Sequence, residues 1–455
     1  MAVSGETLFS IIIYAADTNR VYFRDCIESV VSQSYGNFEL VIVDENKTTD
    51  LGRIVSEFFR EDLRIIYRHL NRPFGRARAL NYAMETAHGD YYLFLGQHDR
   101  LSGNALALIV SETKKEAFSL LYTDSDELDA SERVNPHFRS GFNVELLRQE
   151  NYIGTSFVVK AADLVGIGPL RAELVYYPEW EFLLRHVERK KKVAHLPALL
   201  FHVRPDDDSL LDDSREAKKE KRKKEAEEGK KKAREAVTLV TAHLRKCGLS
   251  AEARPGPRTG TVKVDYDGSQ YDVRREDYLF LRDRDILVLS RSPLTKLFGA
   301  LNQPDVAAVG CRFLGGGLTV DNAGYIFDEN GISYPACHGQ SILTPGYGDR
   351  ISFRQDVSAV DLGFCLINRR FYDRSGGFNG DLLGRDIMMD FFLKAKASGR
   401  RIIYDPSVTV YRTKKGPESS EASNAALLDR WKDRVRKGDP YYNSNLPMGV
   451  TNYTL

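Results

Sequence analysis

The stretch FSIIIYAADTNRVYFRDCIESVVSQSYGNFELVIVD (9–44) decides the fold. FSIIIY (9–14) is an apolar run without polar alternation, the pattern of a strand covered on both faces. VYFRDCIESVVSQS (21–34) puts Phe23, Cys26, Ile27, Val30 and Val31 on one helical stripe. FELVIVD (38–44) is again strand-like and stops on Asp44. The alternation continues outward: helix 51–61, strand 64–68, helix 76–87, strand 91–95, helix 102–115, strand 118–124. Strands that are apolar throughout, spaced by amphipathic helices, predict an α/β layer fold with a mostly parallel, Rossmann-like sheet. Ligands in such sheets sit beyond the carboxyl ends of the strands. Those ends are Asp44, the cluster Gln97-His98-Asp99, and Asp124 with Asp126, so acidic residues and a His are expected along one rim.

One of these ends raises a question. LFLGQHDR (93–100) closes a buried strand with Gly96, a His and a single carboxylate, where phosphate–metal chemistry calls for two carboxylates.

Composition narrows the function classes. With 455 residues, two or three domains are expected, and 42% apolar content suffices for real cores. A net charge of +1 argues against a general nucleic-acid binder. The five cysteines show no CxxC pair, which fits a reducing compartment and neither a zinc site nor a disulfide framework. The N-terminus lacks the basic region of a signal peptide, and no stretch reaches the roughly 18 apolar residues of a membrane span. A cytoplasmic protein is expected, with peripheral contact at the inner face of the membrane left open.

Residues 205–236 are almost all charge and alanine, with Glu–Lys spacings that support a solvated helix. A second α/β section follows. DYLFLRDRDILVLS (277–290) repeats the plan of YYLFLGQHDRLS, and GFCLINRRFYDRSGGF (363–378) echoes SFVVKAADLVGIGPL (156–170), which implies an internal repeat. The second copy lacks a counterpart of residues 9–90. The expected organisation is a first domain over 1–204, a charged helical linker over 205–250, a truncated second domain over 251–413 and a polar, partly ordered tail over 414–455.

With these stretches in view, together with NRPFGRARALNYAMETAHGDYYLFLGQHD, LYTDSDELD, NPHFRSGFNVELLRQENYIGTSFVVK and PEWEFLLRHVERKKKVAHLPALLFHVR, the first 204 residues resemble a family 2 glycosyltransferase of the GT-A fold. The likeness is to the tandem-domain, rhamnosyltransferase-like enzymes of bacterial surface polysaccharide synthesis. It implies a nucleotide-diphosphate sugar donor, a glycan or lipid-linked acceptor, a divalent Mn or Mg ion on the diphosphate, and a carboxylate base. By position, Asp44 and Glu45 would meet the nucleotide, as would Arg76, Arg78 and Asn81 at the third helix. The family's Asp-x-Asp falls on Gly96 and His98, with Asp99 next. The resemblance leaves three outcomes open: a metal held by His98, Asp99 and His202, a metal-free site with His98 on the diphosphate, or a dead site. Glu179 stands where the family has its base, although an acid beside Pro178 in a first helical turn is also ordinary helix chemistry. Trp180 would wall a sugar, and Asp124 and Asp126 would line the acceptor side.

In the second copy Asp283 and Asp285 restore an Asp-x-Asp. Met388 falls at the base position, with Asp386 nearby, and Arg412 replaces the late His. That copy reads as non-catalytic. The rival to an enzyme is an eroded glycosyltransferase-like protein that binds glycan or protein as a scaffold subunit. Homo-oligomerisation stays open.

Overall fold

Apolar runs with no polar alternation need cover on both faces. They have it in the computed structural model, which describes residues 6–129, 132–205, 215–269, 276–414, 416, 418–449 and 453. Side chains of 215–222 are outside that description, as is much of the acidic part of the expected linker, 206–214. The chain divides into two compact units: residues 1–139 with 153–239, and 140–152 with 240–455.

The first unit contains the strands β1 (Phe9–Ala15), β2 (Phe38–Asp44), β3 (Ile65–His69), β4 (Tyr91–Leu95), β5 (Arg100–Leu101), β6 (Leu120–Asp129), β7 (Glu132–His137), β8 (Val158–Lys160) and β9 (Val193–Val203). They form one sheet in the order β3-β2-β1-β4-β8-β6-β9-β5, with β7 on β6. From β3 to β4 every pairing is parallel. Beyond β4 the sheet is mixed: β8 runs antiparallel to both β4 and β6, while β9 runs parallel to β6. Helices α1 (Arg20–Val31), α2 (Asp50–Phe59), α3 (Arg76–Thr86) and α4 (Ala105–Lys115) follow successive strands. Phe23, Ile27 and Val30 of α1 are fully buried with Phe9, Ile11, Leu40, Ile42 and Leu93 of the sheet. Each such side chain contributes about 1.5–3 kcal/mol when taken out of water.

Between β7 and β8 the chain leaves the first unit. The excursion carries α5 (Val144–Leu147) into the second unit, and the return brings α6 (Leu164–Ile167) and α7 (Pro178–Glu188). The charged segment is largely α8 (Arg215–Lys246), exposed over 223–228 and buried at Ala236, Leu239, Val240 and Leu244.

The second unit contains β10 (Ala251–Pro255), β11 (Val262–Tyr266), β12 (Tyr278–Arg282), β13 (Ile286–Val288), α9 (Pro293–Leu301), β14 (Val306–Leu314), β15 (Val320–Asn322), β16 (Tyr325–Phe327), β17 (Ser333–Pro335), β18 (Gln355–Asp356), β19 (Phe364–Asn368), α10 (Arg369–Arg374), α11 (Arg385–Ala397), β20 (Arg401–Arg412) and α12 (Glu421–Val435). Its main sheet runs β12-β19-β14-β20-β13. That path has the same order and the same strand senses as β4-β8-β6-β9-β5: antiparallel, antiparallel, parallel, antiparallel. β15 pairs antiparallel with β14 as β7 does with β6. In this sheet β12 has β19 as its partner, and no strand of the described residues takes the places of β1 to β3. The C-terminal segment is better ordered than its polarity predicts. Leu427, Val435, Tyr441, Tyr442 and Leu446 are buried, and Trp431 Nε1 donates to Asp390 at 2.9 Å.

Candidate active site

The carboxyl ends of β2 and β4, the strands β6 and β9, and the helices α3 and α7 supply the expected site residues. LFLGQHDR closes on itself here. Gln97 Oε1 accepts from Ala16 N–H at 2.9 Å and from the Thr18 hydroxyl at 2.6 Å, and its Nε2 donates back to Ala16 O at 2.9 Å. Asn19 N–H donates to His98 Nε2 at 2.9 Å. Asp99 is buried, accepts from Arg204 N–H at 3.1 Å, and folds back over Gly96. A Cβ at position 96 would overlap the Asp99 carboxylate. This explains the glycine: one carboxylate occupies the space that a side chain at 96 needs. Gly96→Asp therefore displaces Asp99, and a thermal melt is expected to show about 1–3 kcal/mol of destabilisation. Burial pushes the Asp99 carboxyl up to about 6, against the pull of two backbone N–H groups and of Arg76 and Arg204.

These contacts test the expected metal set. A ligand His needs a ring-nitrogen lone pair, and the Nε2 of His98 is spent on Asn19. His202 turns its Nδ1 to Asp126 Oδ1 at 2.6 Å, and Asp126 Oδ2 accepts from Arg133 Nε at 2.6 Å. Among the described residues no group of three or more His, Cys, Asp or Glu is gathered as a metal set. With His98 Nε2 engaged, His98, Asp99 and His202 do not form a complete set of three ligands, although a His whose Nδ1 meets a carboxylate, as in His202, keeps Nε2 for an ion.

The residues expected on the nucleotide side are engaged as well. Asp44 is fully buried. Its Oδ1 accepts from the backbone and side-chain N–H of Asn46 at 2.8 and 2.7 Å, and its Oδ2 meets the Tyr67 hydroxyl at 2.5 Å and His69 Nδ1 at 3.2 Å. Glu45 accepts from Phe74 N–H at 2.8 Å, Gly75 N–H at 3.3 Å and the Tyr14 hydroxyl at 3.0 Å, which anchors the loop ahead of α3. Gly75 has φ 82°, which favours glycine at this cap. Asn81 bridges both backbone groups of Leu170 at 2.8 Å, so it fastens a loop instead of facing a nucleotide. Arg78 is exposed.

Arg76 and Glu179, 103 residues apart, meet. Arg76 Nε donates to Glu179 Oε1 at 2.6 Å, and the guanidinium lies 5.7 Å from the Tyr14 ring centre. Glu179 is 2% exposed, whereas the Arg76 side chain is 34% exposed. Trp180 is fully buried, edge-on to Tyr177 at 5.6 Å. It has no face for a sugar, and that expectation is corrected: a Trp two steps past the first helical residue turns into the core.

Glu235 was missed in the sequence, hidden in the charged helix. Its carboxylate accepts from the N–H groups of Val175, Tyr176 and Tyr177 at 3.0, 2.8 and 2.8 Å, just ahead of α7. It thereby positions the turn that carries Glu179. Glu235→Ala leaves three donors without that acceptor. The expected cost is about 1–2 kcal/mol in a denaturant titration.

The acceptor-side residues flank a cavity of about 240 Å³ lined by Asp99, Ser125, Asp126, Glu127, His137, Arg139, Thr155 and neighbours. Asp126 belongs to it, whereas Asp124 lies behind, fully buried and bonded to His195 Nε2 and Arg139 N–H at 2.9 Å.

In the second unit Asp283 and Asp285 end β12 under a different cation. Arg412 grips Asp361 in a fork at 2.6 and 2.9 Å and lies 3.9 Å from Asp283, while Lys414 lies 3.3 Å from Asp285. Met388 is buried on α11, and Asp386 in the same helix's first turn is buried with its Oδ2 lacking a hydrogen bond.

Among the described residues no helix is long and apolar enough to cross a membrane. Residues 10–161 match the family model described as glycosyl transferase family 2. The chain is 24% identical to the O-antigen biosynthesis protein RfbC of Myxococcus xanthus over its whole length, covering 41% of that protein. It is 25% identical to an uncharacterised protein of Sinorhizobium fredii over 98% of its length, covering 58% of that relative. It thus spans about half the length of these relatives. It is also similar to the crystal structure of S. aureus TarS 1–349 in complex with UDP, with 15% identity, TM-score 0.40, and coverage of 52% of this chain and 65% of that one. Residues 10–161 are thus similar to family 2 glycosyltransferases.

Proposed function

We infer that this chain is an inverting glycosyltransferase. It moves a sugar from a nucleotide-diphosphate sugar to a hydroxyl of a glycan or lipid-linked acceptor in surface polysaccharide or glycoconjugate synthesis. The family 2 match over residues 10–161 carries the reading. The Arg76–Glu179 pair supports it by placing a guanidinium and a buried carboxylate together at two helix starts. In this reading the remaining Arg76 N–H groups hold the leaving diphosphate. Glu179 takes the acceptor proton on Oε2, since Oε1 is held by Arg76. The acceptor oxygen bonds to the anomeric carbon as the carbon–oxygen bond to phosphate breaks, and the configuration inverts. Asp44, Glu45 and Arg78 stand on the nucleotide side. The second unit is a truncated, non-catalytic copy, with Arg412 and Lys414 over Asp283 and Asp285.

Isothermal titration with UDP-, GDP- and dTDP-sugars, with and without Mn, tests the reading. At least one donor should bind. If none binds, the chain is instead an eroded glycan- or protein-binding subunit, a reading favoured by the saturated Asp44 carboxylate.

A further inference from the structure

The cavity beside the candidate site discriminates between two acceptor chemistries. Its wall contains three carboxylates, those of Asp99, Asp126 and Glu127, one guanidinium, that of Arg139, and one imidazole, that of His137. Arg139 is partly engaged inside the wall: its Nη1 donates to Thr123 O and to the Ser125 hydroxyl, both at 3.0 Å. Asp126 is partly balanced from outside by Arg133 and His202. Glu127 accepts from Asn135 Nδ2 at 2.8 Å and meets His137 Nε2 at 3.3 Å, and the Asn135 bond, then His137, hold its carboxyl below the usual range. The wall is therefore rich in acceptor oxygens and short of free cationic donors. Vicinal hydroxyls of a sugar donate to such oxygens. A phosphate or uronate would face three carboxylates against one partly engaged guanidinium and one imidazole. At about 240 Å³ the cavity lies just below the roughly 300–1,000 Å³ of drug-sized pockets, a size suited to one sugar ring rather than a long chain.

We propose that this cavity seats a neutral sugar of the acceptor and discriminates against anionic acceptors such as polyol phosphates or uronates. The proposal rests on the glycosyltransferase reading and names the acceptor class of that same site. Glu127, 33% exposed in its side chain on the cavity wall, is the selectivity residue to vary.

The test uses the full chain. Saturation-transfer NMR compares a panel of neutral methyl glycosides and disaccharides with the 6-phosphates of the same sugars and with glycerol phosphate oligomers, each with and without saturating nucleotide sugar. Neutral members are expected to bind at least tenfold tighter than their phosphates. Glu127→Lys is expected to narrow that ratio by tenfold or more, with nucleotide-sugar affinity unchanged. Glu127→Gln, which keeps size and removes charge, should narrow it by less. Equal or tighter binding of the phosphates overturns the proposal. So does a Glu127→Lys variant, folded by its thermal melt, that shifts both classes alike. If nucleotide sugars bind but neither acceptor class does, this inference fails and the enzyme reading stands. If nucleotide sugars do not bind at all, the enzyme reading fails first.

Discussion

Glu179→Gln is expected to lower the transfer rate by about 10²–10⁴-fold while leaving nucleotide-sugar binding intact. The amide keeps the shape of the side chain and can still accept the 2.6 Å bond from Arg76 Nε, so the first turn of α7 should hold. What it loses is the carboxylate that receives a proton. Arg76, a third exposed in its side chain, can recover solvation from water when its partner becomes neutral, so little stability is at stake. The checks are kcat at saturating donor and the donor Kd by calorimetry. An unchanged rate would make Glu179 the anchor of Arg76 and nothing more. A fall confined to donor affinity would mean that the pair acts on the diphosphate alone.

Arg401→Ala should unfold the second unit at markedly lower temperature. Arg401 donates to Glu145 at 3.1 Å, Asp356 at 2.9 Å, Gln303 at 2.6 Å and Asp305 at 2.7 and 3.0 Å. Glu145 and Asp356 are 1% and 0% exposed. Among the described residues, removing the guanidinium leaves Glu145 with Arg148 alone among its ion-pair partners, and Asp356 with backbone N–H donors but no ion-pair partner. An uncompensated buried charge costs about 3–5 kcal/mol. At 2–4 °C per kcal/mol, a fall in Tm of roughly 6–20 °C follows. The pH dependence has a definite sign. Burial raises the Glu145 carboxyl, but Arg148, Arg401 and Arg354 together hold it well below its ordinary 4.5. The stability this adds is present above pH 4.5 and is lost as the pH falls towards the lower, folded-state value. Without Arg401 that benefit shrinks, so the variant should unfold at a higher pH than the parent in an acid titration. A Tm within 2 °C of the parent would mean that Arg148 alone compensates the network.

This network also shows how far sequence reasoning reached. Glu145 and Arg148 lie in the NVELLRQ stretch and carry no periodic signal that distinguishes them from surface charges. Their importance comes from chain topology: the segment 140–152 belongs to the second unit, although the strands before and after it belong to the first. Glu235 was illegible for a related reason. In a helix of alternating charges, one carboxylate aimed at three backbone N–H groups looks like any other.

The strands and helices of the first unit were legible because burial on both faces forces continuous apolar runs and burial on one face forces a helical stripe. So was the echo between residues 91–102 and 277–290, and the strand orders β4-β8-β6-β9-β5 and β12-β19-β14-β20-β13 are alike. The absence of a side chain at Gly96 could also be read directly. Why it is absent could not: the space is filled by the Asp99 carboxylate, folded back from three residues on. Whether Asp44, His98 and Asn81 were free for a ligand was equally a tertiary matter, because their partners come from residues 2 to 89 positions away. The sequence by itself determined the main strands and helices of residues 9–124, where those strands end and which residue types stand there. Only the tertiary structure decided which of those polar groups are already satisfied, because hydrogen bonding depends on distances in space that separation along the chain does not encode.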